Sequence, residues 1–216
     1  MSGPHSGLAE PHGDLDGFPR AGEIAELHRL SEYPGPWWYS HVHDPDEDTG
    51  GRFDLTDPHG TCYLATSLDG ALVEKLLRAR TKVVVAERLH ELFHATIEVR
   101  RTPPTADLTS PGATGYGRNA EIHTTLDYPL TRRWARALRA AGWRGLRHLL
   151  RGDATGRAVG LALFGRAGLH RRAPAGMTTT VRALDRDEAE RLLAARNVVV
   201  RPIPDRVPIA RPDPSG

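Results

Sequence analysis

The segment over residues 50–80 constrains the fold most, because it reads as a turn, a strand and a helix in immediate succession. Residues 61–66 alternate between two faces, with Cys62 and Tyr63 on opposite sides, which predicts a half-buried strand. Residues 68–80 carry an apolar stripe at helical spacing, which predicts a helix directly after the strand. A chain with this core segment is expected to pack a helix against a sheet.

Three polar residues of different chemistry, Arg52, Tyr63 and Glu74, are spaced eleven positions apart along this segment. An arginine fork suits a pyrophosphate, and a tyrosine ring suits a planar, cationic ring. A carboxylate stabilises positive charge that develops at a sugar carbon during glycosidic cleavage. On spacing alone, a surface arginine, a core tyrosine and a solvated glutamate are the commoner combination.

The remaining pattern mixes helices with alternating strands and shows no repeating strand–helix–strand units. The class is therefore predicted as α+β, with a mixed, mostly antiparallel sheet and flanking helices. The predicted helices cover residues 21–30, 87–92, 127–142 and 185–196, with Asp69, Asp127 and Asp185 as caps of their helices. The predicted strands cover residues 37–43, 93–99, 144–150, 158–164, 178–184 and 197–201, and loops cover 103–117 and 168–176.

The 216 residues suit one domain, predicted over residues 21–200, between a disordered lead over 1–20 and a Pro-rich tail over 201–216. The net charge is +2, so no strong field favours nucleic acid or an acidic membrane. One cysteine excludes an internal disulfide and fits a reducing compartment. Neither a membrane-spanning run nor a signal peptide is recognisable, so a cytoplasmic protein is expected.

Two other candidate sites are weaker. His41 and His43 point to one side of a strand, a geometry that zinc accepts, but no partner residue at suitable spacing completes a site, so no metal is expected. Cys62 shares its face with Leu64 and is predicted to be a small buried residue, not a nucleophile.

Several blocks together resemble the RES domain family. They are Gly51-Arg52-Phe53, Gly60-Thr61-Cys62-Tyr63-Leu64-Ala65, Ala71-Leu72-Val73-Glu74, residues 120–128, Trp134-Ala135, residues 141–146 and residues 159–164. They span residues 37–165 in the order and approximate spacing of the family, with residues 170–200 as a C-terminal extension.

The resemblance implies a fold similar to ADP-ribosyltransferase toxins and an enzyme that degrades NAD at the nicotinamide–ribose bond. Arg52, Tyr63 and Glu74 would carry NAD binding and catalysis, and Tyr39 and Arg151 would add contacts to NAD. No further cofactor is implied, and either water or inorganic phosphate could accept the sugar. Members of the family are toxins neutralised by an Xre-type antitoxin that covers the active site. The sequence leaves open whether the protein forms a homo-oligomer.

Two departures from the family pattern stand out. The family has an arginine directly after an aromatic residue in its first strand, whereas Trp38-Tyr39-Ser40 occupies the place expected for it here. The family's serine is expected within residues 147–151, which contain no hydroxyl group; Arg151, Thr124 or Thr125 are the candidate substitutes. A non-catalytic binding module and an ADP-ribosyltransferase acting on a macromolecule are therefore kept as alternatives.

Overall fold

A mostly antiparallel sheet organises the chain in the computed structural model, which describes residues 7–47, 49–77, 82–153 and 155–203. The strands found there are β1 (Glu26–Ser31), β2 (Trp38–Tyr39), β3 (His41–Val42), β4 (Leu55–Thr56), β5 (His59–Ala65), β6 (Val83–Val85), β7 (Phe93–Val99), β8 (Thr105–Asp107), β9 (Gly145–Leu149), β10 (Val159–Arg166), β11 (Gly168–Leu169), β12 (Met177–Ala183) and β13 (Val199–Arg201). The main sheet has the order β12-β7-β1-β5-β10-β9-β8, and its neighbours are antiparallel except β8 and β9. Short two-stranded sheets join β2 to β11, β3 to β4 and β6 to β13. The predicted α+β class is confirmed.

Three of the four α-helices in the described part of the chain begin at polar caps that are visible in the sequence, whereas the helix at Ala86–His90 has no side-chain cap. The helices are α1 (Leu68–Leu76), α2 (Ala86–His90), α3 (Tyr128–Ala140) and α4 (Arg186–Ala195), with 3-10 helices at Pro111–Tyr116 and Ala120–His123. Asp127 and Asp185 cap α3 and α4 as predicted, each accepting a bond from a backbone N–H three residues on. The predicted cap Asp69 is wrong: Ser67 Oγ accepts from Gly70 N at 3.0 Å, and Asp69 lies in the first turn of α1.

The two faces of the sheet bury separate cores. One face buries Cys62 among the apolar side chains of β1, β7 and β10. The opposite face carries the helices, and it buries two clusters: one includes Trp134 of α3, and the other includes Leu72 of α1 and Leu193 of α4. Because β5 alternates, Tyr63 faces the helical side while Cys62 faces away, as the sequence predicted.

The helix predicted over residues 21–30 is wrong. That region forms β1, which pairs with β7 on one side and with β5 on the other. The spacing of Ile24, Leu27 and Leu30 fits a helical face, but the backbone groups find partners on two neighbouring strands instead. Tertiary pairing therefore overrides the local pattern.

The disordered lead predicted over residues 1–20 is wrong for the described residues 7–20. Leu8, Leu15 and Phe18 are at most 4% exposed and join the cluster around Trp134. Residues 1–6 lie outside the described part of the chain, as do residues 78–80 of the predicted helix and residues 204–216 of the predicted tail.

Smaller differences concern short strands. The strand predicted over residues 37–43 is split at Ser40 into β2 and β3. The predicted loop over 103–117 contains β8 and a 3-10 helix, and the loop over 168–176 contains β11. The other predicted strands and helices are confirmed with shifted ends. No helix in the described residues is long and apolar enough to cross a membrane.

Candidate active site

A cleft opens on the helical face of the sheet, where the two core clusters meet. The empty space within it, counted together with the open solvent at its mouth, is about 510 Å³. Its lining includes Phe53 from one cluster and Val73 from the other. Arg52, Tyr63 and Glu74, the three residues predicted to converge, all line this cleft.

The floor of the cleft is set by the register of three strands. Gly160 of β10 pairs with Ala65 on one side and with His148 on the other. A Cβ atom on Gly160 would lie 2.8 Å from His148 Nε2 and 2.6 Å from Leu150 Cδ2. Only a glycine at this position therefore lets the His148 imidazole lie over β10, where it lines the cleft.

The buried Asp54 carboxylate organises the turn at the mouth of the cleft. It is 1% exposed, and it accepts from Gly51 N at 2.6 Å, Ser40 Oγ at 2.7 Å and Tyr63 Oη at 2.9 Å. The Tyr63 hydroxyl also accepts from Phe53 N at 2.9 Å. Burial, and then the Asp54 charge, raise the pKa of Tyr63 well above its ordinary value. The hydroxyl is committed to the turn, so Tyr63 offers its ring to a ligand.

Arg132 holds the other side of the same turn. This α3 side chain is 0% exposed and donates to backbone carbonyl oxygens: to Gly51 from Nε at 3.2 Å, to Glu47 from Nη1 at 2.7 Å, to Pro45 from Nη1 at 3.2 Å, and to Thr49 from Nη2. A planar fork of five donors suits such a set of acceptors. Arg132 thereby fixes the path of the chain that leads into Gly50, Gly51 and Arg52.

Arg52 brings a poorly solvated positive charge to the cleft. Its Nη1 donates to His123 O at 2.6 Å, whereas its Nε is buried without a partner among the described residues. Burial lowers the pKa of the guanidinium, and the Glu74 carboxylate makes the largest contribution in the opposite direction. A buried donor without an acceptor is costly, so this atom favours an anionic ligand.

Arg151 supplies a second guanidinium, in the turn that follows β9. Its Cζ lies 5.6 Å from the centroid of the Tyr128 ring, a cation–π contact at the start of α3. Its Nη1 is also buried without a partner among the described residues. The sequence prediction that Arg151 belongs to the site agrees with its position in the cleft wall.

Tyr39, which was predicted to contact NAD, does not lie in the cleft. The residue is 5% exposed and packs in the core on the opposite face of the sheet, against Gly165 and edge-on to His170. Thr124 and Thr125, the candidate hydroxyl donors, are not among the residues that line the cleft either.

The first strand of the sheet is β1, not residues 37–43, and it carries Arg29 directly after His28. The expectation that the first strand lacks such an arginine is therefore wrong. Arg29 Nη1 donates to Trp38 O at 3.0 Å and to Cys62 Sγ at 2.6 Å, on the face away from the cleft. Cys62 is 0% exposed, and burial raises the pKa of its thiol.

Sequence reasoning missed three residues of the site: His148, Tyr128 and Asp54. His148 was detectable, because it is the polar residue between Leu146 and Leu150 on the inward face of a predicted strand. No local signal marks Tyr128 or Asp54, whose positions depend on contacts between distant elements. In the described part of the chain, no group of three or more His, Cys, Asp or Glu side chains could hold a metal ion.

Comparison with known proteins gives one family and one fold. The family model described as RES domain matches residues 23–183, a wider range than the motifs cover. No curated protein matches the chain. A chain in the crystal structure of the M. tuberculosis MbcT–MbcA toxin–antitoxin complex matches with a TM-score of 0.56 and 19% identity, over 81% of this chain and 92% of that one. The fold is thus shared with that chain, and the protein belongs to the RES domain family.

Proposed function

We propose that this protein cleaves NAD at the bond between nicotinamide and ribose. One observation carries the proposal: two guanidinium groups, each with a buried nitrogen atom that has no partner in the described part of the chain, line the same cleft as the Glu74 carboxylate. A dinucleotide supplies both an anion for the cations and a sugar carbon that becomes positively charged during cleavage. The RES membership of the chain supports this choice of substrate.

Arg52 and Arg151 would bind the phosphate groups of the substrate. A guanidinium donates paired, charge-assisted hydrogen bonds to phosphate oxygens, and such bonds gain strength where water is excluded. Arg52 Nη1 is already bonded to His123 O, and Nε has no partner among the described residues, so the proposal assigns a phosphate oxygen to Nε. When inorganic phosphate is the second substrate, Arg151 would be the group that holds it.

Tyr63 and Glu74 would act on the scissile bond. The Tyr63 ring would pack on the nicotinamide or its ribose, while Glu74 orients the ribose and stabilises the oxocarbenium-like transition state. The bond from the sugar carbon to the ring nitrogen breaks, the nitrogen keeps the electron pair, and water or phosphate forms the new bond. Nicotinamide leaves as a neutral molecule, so no general acid is required.

Such an activity fits a toxin of a toxin–antitoxin pair that acts in the cytoplasm. The structural neighbour was crystallised as a toxin–antitoxin complex. We propose that an Xre-type antitoxin binds this protein and covers the mouth of the cleft, which would keep NAD out.

The test measures, by chromatography, the release of nicotinamide from NAD by the purified protein. We expect Glu74→Gln to lower the rate by about 100-fold, the usual effect of removing one electrostatic contact to a transition state. Glu190→Gln, at an exposed carboxylate on α4, is the matched control and should turn over normally. Unchanged turnover in Glu74→Gln would remove this residue from the mechanism.

The product of the reaction identifies the group that accepts the sugar. Mass spectrometry with and without inorganic phosphate distinguishes ADP-ribose from its 1-phosphate, and labelled NAD in a cell lysate reveals transfer to a macromolecule. Absence of both NAD binding and turnover in the wild-type protein would instead favour a non-catalytic binding module.

A further inference from the structure

Arg196 joins two elements that form the walls of the cleft, although it lies beyond the range matched by the family model. It is the C-cap residue, directly after α4. Its Nε donates to Asp69 Oδ1 at 2.7 Å and its Nη2 to Asp69 Oδ2 at 2.5 Å, while its Nη1 donates to Asp153 Oδ1 at 2.8 Å. One guanidinium therefore binds the first turn of α1 and the loop after β9 together.

The Asp153 carboxylate in turn binds the backbone of that loop, whose described residues 151–153 and 155–158 we call the 151–158 loop. Its Oδ2 accepts from Ala158 N at 2.7 Å and from Arg157 N at 2.8 Å, and its side chain is 0% exposed. Burial by itself would raise the pKa of this carboxyl group, but hydrogen bonds from Ala158 N and Arg196 hold it below its ordinary value. Removing a partner from such a buried charge is strongly destabilising, because the charge is then left uncompensated.

The 151–158 loop also packs on α1 at the point where it reaches the cleft. A Cβ atom on Gly152 would lie 2.9 Å from Val73 Cγ1 and 3.4 Å from Leu77 O. Arg151 and Gly152 line the cleft on this side, and Glu74 lines it from α1. The separation between the Arg151 and Glu74 walls thus depends on how the loop is held against α1.

We propose that Arg196 is a positioning residue, which fixes the 151–158 loop on α1 and so holds Arg151 in the cleft. The inference rests on the proposed function, since Arg151 acts there on the phosphate groups of the substrate. It also gives residues 184–196 a role: α4 delivers Arg196, because Ala189 and Leu193 anchor the helix in the same apolar cluster as Leu72 of α1.

The first measurement compares Arg196→Met and Arg196→Lys with Arg191→Met. Arg191 is exposed on the same helix, where its Nε donates to Asp187 O, so it is the matched control. We expect Arg196→Met to lose on the order of 100-fold in kcat/KM for NAD, because small displacements of a positioning group cost that much. Amide hydrogen exchange in the 151–158 loop should rise at least about tenfold, since local opening sets exchange. Arg191→Met should change neither quantity.

Arg196→Lys covers the case in which Arg196→Met does not fold. Lysine keeps the charge but lacks the fork that binds Asp69 and Asp153 together. We therefore expect kcat/KM to fall, and amide exchange in the 151–158 loop to rise, by less than in Arg196→Met. Thermal unfolding of each variant establishes that the measured protein is folded.

A double-mutant cycle with Arg151→Met separates positioning from general destabilisation. If Arg196 acts through Arg151, then adding Arg196→Met to Arg151→Met should cause less than about a twofold further loss. The inference would be overturned if the two losses in kcat/KM multiply in the double mutant. It would also be overturned if a folded Arg196→Met protein has a normal kcat/KM. If the wild-type protein releases no nicotinamide, the proposed function fails instead, and the exchange rates alone decide whether Arg196 anchors the loop.

Discussion

At the scale of the residue, Tyr63 shows how one side chain serves both the fold and the cleft. Its hydroxyl donates to Asp54 and accepts from Phe53 N, so it closes the turn that presents Arg52. Its ring remains part of the cleft wall. A binding residue that is held in this way is preorganised, because its position is set before a ligand arrives.

Replacing Tyr63 by phenylalanine tests this division. Tyr63→Phe leaves a buried carboxylate oxygen and the Phe53 N–H without their shared partner, so we expect it to lower the free energy of unfolding by about 1–3 kcal/mol. Urea unfolding measures the change. Tyr116→Phe is the control: its hydroxyl donates to Gly17 O near the surface, and its loss should cost about 1 kcal/mol or less. Equal stability of Tyr63→Phe and the wild-type protein would contradict the role of the hydroxyl in the turn.

At the scale of the element, the segment over residues 7–20 behaves as part of the core although it contains almost no regular structure. Two indole N–H groups bind its backbone, Trp134 Nε1 to Ala9 O and Trp143 Nε1 to Leu15 O, both at 2.9 Å. Phe18 packs at 6.3 Å from the Trp134 ring. The segment therefore stabilises α3, the helix that supplies Arg132 and Tyr128 to the site.

Truncation of Phe18 tests the contribution of this segment. We expect Phe18→Ala to destabilise the protein by about 3–5 kcal/mol, the usual cost of removing a buried aromatic side chain. The control is Leu126→Ala, because Leu126 is 78% exposed and its loss should change stability by less than about 0.5 kcal/mol. Chemical denaturation compares the two variants. Equal effects would mean that residues 7–20 do not contribute to the folded core.

At the scale of the whole molecule, two buried histidines link stability to pH. Burial lowers the pKa of His94 to about 4, with His28 next to it adding to the effect. Burial and then Arg118 lower the pKa of His123 to about 4. Both residues are neutral in the folded protein at pH values where the unfolded chain binds protons. Their contribution to stability is present above pH 6.5 and is lost as the pH falls towards 4.

We therefore expect the protein to be less stable at pH 5 than at pH 7.5. The loss is on the order of 2 kcal/mol for each of the two histidines at pH 5. Urea unfolding at both pH values measures it. His94→Gln should remove about half of the dependence, and His90→Gln, at an exposed position at the end of the short helix α2, is the control variant. A wild-type protein with equal stability at the two pH values would refute the linkage.

Much of the architecture follows from local pattern. The alternation in β5 and β7 and the caps of α3 and α4 are properties of neighbouring residues, so they are readable without coordinates. The convergence of Arg52, Tyr63 and Glu74 was also predictable, because a strand that leads directly into a helix keeps its own residues close together. The family resemblance added Arg151 to the same set.

The rest depends on contacts that no local window contains. Residues 26–31 become β1 because β5 and β7 satisfy their backbone groups, and Phe18 is buried because α3 offers it an apolar surface. Sequence by itself determined the chemistry available to this protein, since side-chain types and their period are local properties. Only the tertiary structure decided that Tyr39 turns away from the cleft while Tyr128 lines it, because sheet register and helix packing are set by the whole chain.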